Sequence, residues 1–355
     1  MTDEAAGEAP GDLIRYGWSD RWAALFDDAV EGVGAGPDAR PGRVVRHDGV
    51  AVVVALPDGA EQLPIRGALD PIAVGDWVVV DDGAVAAILP RSSLMRRRDP
   101  DKDVEQLLAA NVDLVGVVCG LDRPVRHGRI HRSSMLAWDA GAVPVVVLTK
   151  ADLVDPDRLS DTVAEVEAAN PGVDVISVDA KGGDGIDAVR ERVAGRTIVL
   201  MGESGAGKST LTNALAGEEL AATGEVRRGD AKGRHTTTSR EMHPLSDGAV
   251  VIDSPGIRAV GVWADAENLA ATFTDVDELA AGCRFSDCAH DTEPGCAVRA
   301  AVEGGTLAPS RFAAWQSLAR EIAAAERRAD PQAEKRYGRR FARITKDAKK
   351  RKGRG

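Results

Sequence analysis

The sequence predicts three consecutive folded parts: a small all-β barrel, an α/β domain built on a parallel sheet, and a helical C-terminal domain that holds a metal. Three observations carry this. Short Val-rich runs separated by Gly, Pro and Asp fill residues 43–98. Continuous apolar runs then alternate with helical patterns from Asn111 to about Gly261. Three of the four cysteines crowd between Cys283 and Cys296. A chain of 355 residues has length for two or three domains. No 18-residue apolar run is present, so a membrane helix is not expected. Met1–Pro10 is acidic and lacks the apolar stretch of a secretory leader, so the expected location is the cytoplasm.

Residues 1–40 read as an N-terminal extension. It has an acidic leader, a short amphipathic helix over Ser19–Val30, and a Gly/Pro-rich linker from Gly34 to Gly42. Residues 41–98 carry five expected strands: Arg43–Arg46, Val50–Leu56, Ile65–Gly67, Asp76–Val80 and Ala84–Leu89. Five short strands suit an OB-fold, with some other small β-domain as the alternative. Arg91, Arg96, Arg97 and Arg98 close the segment as a basic cluster.

Residues 99–262 have α/β texture. Strands are expected at Val112–Cys119, Val143–Leu148, Val173–Val178 and Thr197–Met201, with helices such as Leu159–Ala169 and Ile186–Val193 between them. Unbroken Val/Ile/Leu runs fit a parallel sheet covered on both faces. Cys119 reads as a small buried hydrophobe within one such run. Residues 263–330 show no strand pattern and end in a helical stretch, Arg311–Arg328. Residues 331–355 form a basic tail with eleven Lys/Arg against two Asp/Glu, a balance of +9. The whole chain carries −11, so the remainder carries −20. A basic tail on an acidic body points to a polyanion, nucleic acid first; a solvated, unstructured tail is the alternative.

The chemistry starts at Gly202-Glu203-Ser204-Gly205-Ala206-Gly207-Lys208-Ser209. This matches the phosphate-loop pattern, and it lies between an expected strand and an expected helix that begins at Ser209 and includes Thr210. Its backbone N–H groups and the helix N-terminus cradle phosphates. Lys208 is expected to reach the β- and γ-phosphates, and Ser209 to ligate Mg²⁺. Asp253-Ser254-Pro255-Gly256 follows the apolar run Ala249–Ile252. Asp253 is placed to support Mg²⁺ and the Gly256 N–H to sense the γ-phosphate. Thr149-Lys150-Ala151-Asp152 follows another strand. The Asp152 carboxylate can accept two N–H groups from guanine, which adenine cannot offer; the alternative is a helix cap. Thr149 stands where Asn is usual and can bond base or loop atoms. Asp179-Ala180-Lys181 stands where Ser-Ala-Lys is common, a segment whose backbone touches guanine O6.

The order of these motifs is informative. An ordinary small GTPase runs phosphate loop, switch, D-x-x-G, then the two base-recognition motifs. Here the base-recognition motifs come first. The central domain therefore reads as a circularly permuted P-loop GTPase that binds GTP and GDP.

A second constellation is Cys283-x4-Cys288-x-His290-x5-Cys296. Three thiolates and one imidazole make a closed tetrahedral set, the donor pattern of structural Zn²⁺.

The chain resembles the circularly permuted GTPases of 30S assembly, the ribosome small subunit-dependent GTPase A family. Pro41–Val44, Val74–Val78, Ala110–Asp113, Gly233–Thr238 and Cys283–Cys296 carry the resemblance, together with the motifs above. It covers residues 11 to about 330. It implies an N-terminal OB-fold, the permuted GTPase and a C-terminal zinc-binding domain. It also implies GTP hydrolysis stimulated by the 30S subunit, and contacts with 16S rRNA. A monomer is expected. Within Gly233–Thr238, Thr237 is the first choice for Mg²⁺ and the γ-phosphate, with Thr236 beside it. Ile257 occupies the place of a water-orienting Gln, so slow intrinsic hydrolysis is expected, with His235 the nearest candidate catalytic group. Aromatics make up only 4% of the chain, so phosphate contacts are expected over base stacking. The readings kept beside this one are an RNA-binding module with a nucleotide switch and an ATP-dependent P-loop enzyme.

Overall fold

The computed structural model describes residues 11–49, 51–65, 71–98, 105–220, 240–253 and 266–329. They fall into two compact units, divided between Val262 and Trp263.

In the first unit a 3-10 turn, Ile14–Tyr16, precedes helix α1 (Asp20–Val33). Five strands form the barrel: β1 (Arg40–His47), β2 (Ala51–Leu56), β3 (Gly59–Pro64), β4 (Trp77–Asp81) and β5 (Ala84–Ile88). β1 is the hub, antiparallel to both β2 and β4; β2 carries β3 and β4 carries β5. Alternate side chains, including Val44, Val52, Val54, Val78 and Val80, fill a core of their own.

Two sequence expectations need correction here. A strand that the sequence did not mark runs over Gly59–Pro64, while the expected Ile65–Gly67 lies, apart from Ile65, outside the described residues. Leu56 pairs with Gly59, so Pro57-Asp58 is a two-residue hairpin loop that fixes the register immediately after β2. The Gly/Pro-rich linker is also shorter than expected. Arg40, Pro41 and Gly42 are already strand, paired with Val80, Val79 and Val78. Gly42 is there for space: a Cβ would meet Val54 Cγ1 at 2.4 Å. The extension before the barrel packs as well. Leu13, Tyr16 and Trp22 are buried with Trp77 in the large core, and Trp18 meets Trp77 edge-on at 5.1 Å.

A hairpin of β6 (Leu94–Arg98) and β7 (Glu105–Ala110) follows. In the sequence Arg96–Arg98 stand out only as a basic cluster, because three successive arginines lack the apolar alternation of a strand. Two arginines of the expected basic cluster, Arg91 and Arg96, have carboxylate partners. Arg91 grips the fully buried Asp76 carboxylate with two bonds of 2.7 Å, and Arg97 donates to Gln106. Arg96 lies 3.5 Å from Asp139.

The α/β part runs β8 (Leu114–Gly120), α2 (His127–Asp139), β9 (Val143–Thr149), α3 (Pro156–Ala169), β10 (Asp174–Val178), α4 (Ile186–Val193), β11 (Thr197–Gly202), α5 (Lys208–Ala216), β12 (Glu241–Pro244) and β13 (Val250–Asp253). The sheet order is β10-β9-β8-β11-β13-β12-β1-β2-β3. β10, β9, β8, β11 and β13 are parallel to their neighbours. β12 is antiparallel to β13 and also to β1, where Arg46 pairs with Glu241. The barrel and the α/β sheet are thus hydrogen-bonded into one surface.

One buried cation fastens this junction. Arg43, 2% exposed, donates to the Tyr16 carbonyl, to Gly75 O at 3.3 Å, to Asn111 O at 3.2 Å and to Thr197 Oγ1 at 3.0 Å. Its guanidinium also lies 5.0 Å over the Trp77 ring. Burial draws its pKa down to about 10, while Asp113 and Asp76 act to hold it up.

The second unit contains α6 (Ala266–Thr272), α7 (Thr274–Ala280), α8 (Ala297–Glu303) and α9 (Pro309–Ala329). Phe273, Val276, Val298, Leu307 and Leu318 are buried in it. Arg311, at the start of α9, bonds Asp275 and the Thr272 carbonyl and covers the Phe273 ring at 4.2 Å. No helix among the described residues is long and apolar enough to cross a membrane.

Arg43→Ala strands several buried acceptors at once, and is expected to destabilise the first unit by about 3 kcal/mol. Urea unfolding followed by tryptophan fluorescence measures this; a loss under about 1 kcal/mol would remove Arg43 from this role.

Candidate functional site

β11 is buried between β8 and β13, so its carboxyl end delivers Gly202 to the open edge of the parallel sheet, where such folds bind ligands. The loop from Gly202 then turns into α5. Gly207 makes that turn with φ +94, and a Cβ on it would sit 3.0 Å from Thr149 Oγ1. The N-terminus of α5 thus faces the loop, giving the anion-binding geometry of a phosphate cradle. Lys208 arches back over it, with Nζ donating to the carbonyls of Gly202 at 3.0 Å and Glu203 at 2.9 Å. Burial lowers the pKa of this ammonium and Asp253 opposes the shift. Asp253 ends β13, directly paired with Leu200 of β11.

The residues expected to recognise the base lie at the end of β9 and in the segments that follow β9 and β10. Thr149, Lys150, Asp152, Ala180, Lys181 and Thr210 all line one cavity of about 250 Å³, together with Asp122, Leu153 and Asp179. Two departures from the usual motifs find physical accounts. Thr149 is 1% exposed, and its hydroxyl donates to the Ala206 carbonyl at 2.5 Å. Its contact is with the phosphate loop, so it ties the base side of the site to the phosphate side. The Asp179 carboxylate accepts the Lys181 N–H at 2.9 Å and shapes the turn that carries Ala180.

Sequence reasoning missed three contributors. Leu153 is 61% exposed and supplies an apolar wall to the cavity. Asp122 faces the same cavity and holds Lys150 Nζ at 2.9 Å. Arg129 of α2 grips Glu203 of the phosphate loop at 2.5 Å and keeps that carboxylate below its ordinary pKa. The only prior signal was the charge density of Asp122–Arg132, which no motif covers. His235, Thr236 and Thr237 lie outside the described residues, as do Gly256, Ile257 and the tail 331–355.

In the second unit, Cys283, Cys288, His290 and Cys296 bring their donor atoms within 4.8 Å of one another. His290 Nδ1 is 3.5 Å from Cys283 Sγ and 3.4 Å from Cys296 Sγ, and the two sulfurs are 3.9 Å apart. A tetrahedral zinc with ordinary bond lengths sets S···S at about 3.8 Å and S···N at about 3.5 Å. The donor set fits that ion. The αL conformation of His290 (φ 56) swings its ring inward, Trp315 packs against the ring at 5.2 Å, and the Arg299 N–H points at Cys296 Sγ. Such support orients ligands around a metal.

A phosphate loop, a carboxylate-bearing base pocket and a sheet whose base strands precede its phosphate strand define a circularly permuted P-loop GTPase. The RsgA GTPase family model matches residues 88–263. The small ribosomal subunit biogenesis GTPase RsgA of Streptomyces coelicolor is 43% identical over 96% of both chains. The protein of that name from Streptomyces avermitilis is 44% identical, covering 87% of this chain and 85% of its own. The crystal structure of YjeQ from Thermotoga maritima superposes with a TM-score of 0.61 at 28% identity, covering 80% of this chain and 99% of that one. The structure of YloQ, a circularly permuted GTPase, shares the fold at a TM-score of 0.59, 24% identity, and 81% and 96% coverage. The chain belongs to the RsgA family of GTPases and is a GTP hydrolase.

Two outcomes follow. Thr149→Val keeps the shape but leaves the Ala206 carbonyl unpaired, so the Kd for GDP should rise about tenfold by calorimetry; an unchanged Kd would show that the tie does not position the loop. Cys288→Ala should reduce bound zinc from one per chain to a small residue by elemental analysis, with loss of helical signal from the second unit; full zinc retention would exclude Cys288 as a ligand.

Proposed function

We propose that this protein binds the 30S ribosomal subunit in its GTP form, acts late in assembly of that subunit, and departs after hydrolysis to GDP and phosphate. The observation that supports the reading is one cavity lined by Thr149, Lys150, Asp152, Asp179–Lys181 and Thr210, beside the loop 202–209 that the Thr149 hydroxyl bonds at Ala206. It occurs in a chain 43% identical, over nearly its whole length, to a relative named for small-subunit biogenesis.

In this reading the backbone of Gly202, Glu203, Ser204, Gly205, Ala206 and Gly207 surrounds the phosphates, with Lys208 on the β- and γ-oxygens. Ser209, Thr237 and Asp253 hold Mg²⁺, whose charge offsets that developing on the transferred group. Gly256 contacts the γ-phosphate. Asp152 reads guanine, with Lys150 and Ala180–Lys181 around the base and Thr149 setting the loop. Thr210 closes the pocket at the start of α5. Ile257 has no polar atom to orient water, so the intrinsic rate is slow. His235 is the group that the subunit brings to the reaction or orders for it. Zinc on Cys283, Cys288, His290 and Cys296 is structural, because its four ligands leave no position for water.

The chain acts in the cytoplasm as a monomer. Its basic tail meets 16S rRNA through phosphates, which requires no base-stacking aromatics.

GTP turnover measured with and without 30S subunits tests this directly: stimulation of at least tenfold is expected, and none would overturn the assembly role. Asp152→Asn replaces an acceptor by a donor. Preference should move from GDP toward xanthosine diphosphate by more than tenfold, read by competition binding; an unaltered GDP preference would reject Asp152 as the guanine reader.

A further inference from the structure

Lys150 does not stand free at the base pocket. Its Nζ is 2.9 Å from Asp122 Oδ2. The same carboxylate takes Arg123 Nη2 at 2.9 Å and Nε at 3.3 Å. Arg123 Nη1 reaches Glu203 Oε2 at 3.6 Å, and the other Glu203 oxygen meets Arg129 Nη1 at 2.5 Å. The result is an alternating row of five charges, Lys150–Asp122–Arg123–Glu203–Arg129. It starts in the base loop after β9, crosses the loop between β8 and α2, touches the phosphate loop and ends on α2.

Two features make this row more than scattered surface pairs. Its members come from four separate segments, and the Lys150–Asp122, Arg123–Glu203 and Glu203–Arg129 links each fix one segment against another. Each carboxylate also serves two cations and none is left over, which is the arrangement in which exposed pairs add up. Asp122 is held ionised to about 2, first by Arg123 and then by Lys150. Lys150 itself is in the left-handed conformation, φ 61, which is uncommon for a non-glycine residue.

We infer that Asp122 is a positioning residue for guanine-nucleotide binding, holding Lys150 against the base pocket and coupling it through Arg123 and Glu203 to the phosphate loop. Its effect is on affinity, alike for GDP and GTP, because the row touches the base side and the outer wall of the loop.

This inference rests on the assignment of the cavity to the base, and the test separates the two. Kd for a fluorescent GDP analogue is measured on the full chain for wild type, Asp122→Asn, Asp122→Glu, Lys150→Met and the double variant Asp122→Asn/Lys150→Met. Thermal midpoints without nucleotide are recorded alongside. Asp122→Asn should weaken binding about fivefold with an unchanged thermal midpoint. Asp122→Glu, which keeps the charge, should recover most of the loss. In the Lys150→Met background the Asp122→Asn penalty should fall below about 1.5-fold, since the two act through one link. Wild-type affinity should also drop more steeply between 0.05 and 0.5 M salt than that of Asp122→Asn, because the row is exposed and screened. Equal affinity for Asp122→Asn and wild type, or the same penalty in both backgrounds, overturns the inference and leaves the pocket assignment standing. If Lys150→Met binds GDP as well as wild type, the pocket assignment and the inference both fall.

Discussion

The buried guanidinium of Arg43 is the constraint on which the arrangement of the first unit depends. It comes from a barrel strand, yet its acceptors are spread along the chain: the turn before α1, the approach to β4, the residue after β7, and the first side chain of β11. A buried cation without partners is costly, so all four segments must be in place together. Thr197 opens β11 and Asn111 lies three residues before β8, and these two strands lie side by side at the centre of the parallel sheet. What is fixed at the amino ends of those strands also sets where their carboxyl ends deliver the nucleotide loops.

At those carboxyl ends the same logic recurs with smaller groups. The Thr149 hydroxyl, Lys208 ammonium and Glu203 carboxylate all bond loop segments to one another. Phosphate binding at a helix N-terminus needs N–H groups held in a fixed curve. The contacts between loops supply that rigidity from outside the cradle and leave its interior open to ligand.

Much of this was legible in the sequence because the chemistry is local in the chain. A strand, eight residues with three glycines, and a helix suffice to announce a phosphate loop; four donors within fourteen residues suffice for the metal cluster. The permuted order was legible for the same reason. What escaped was chemistry assembled across the fold. Asp122 and Arg129 carry no motif and acquire meaning only where β8 and α2 pass the phosphate loop. The role of Thr149 was open until its hydroxyl met Ala206, 57 residues away. The strand at Gly59–Pro64 was missed because Glu61 and Gln62 are exposed, so the run lacks the apolar signature that marked its neighbours. Gly42 and Pro41 read as linker because their strand role depends on how closely β2 and β4 approach.

The union of barrel and α/β sheet through β12 also bears on how the chain avoids sticking to itself. Each sheet standing alone would expose one more long rim of unpaired amides, a template for a foreign strand. Here β12 seals β13 against β1, and among the described strands of this sheet β10, β3 and β5 each keep one unpaired edge. The β3 and β10 edges carry guards. β3 has exposed Glu61 and terminates in Pro64, which has no amide to donate, while β10 begins with exposed Asp174.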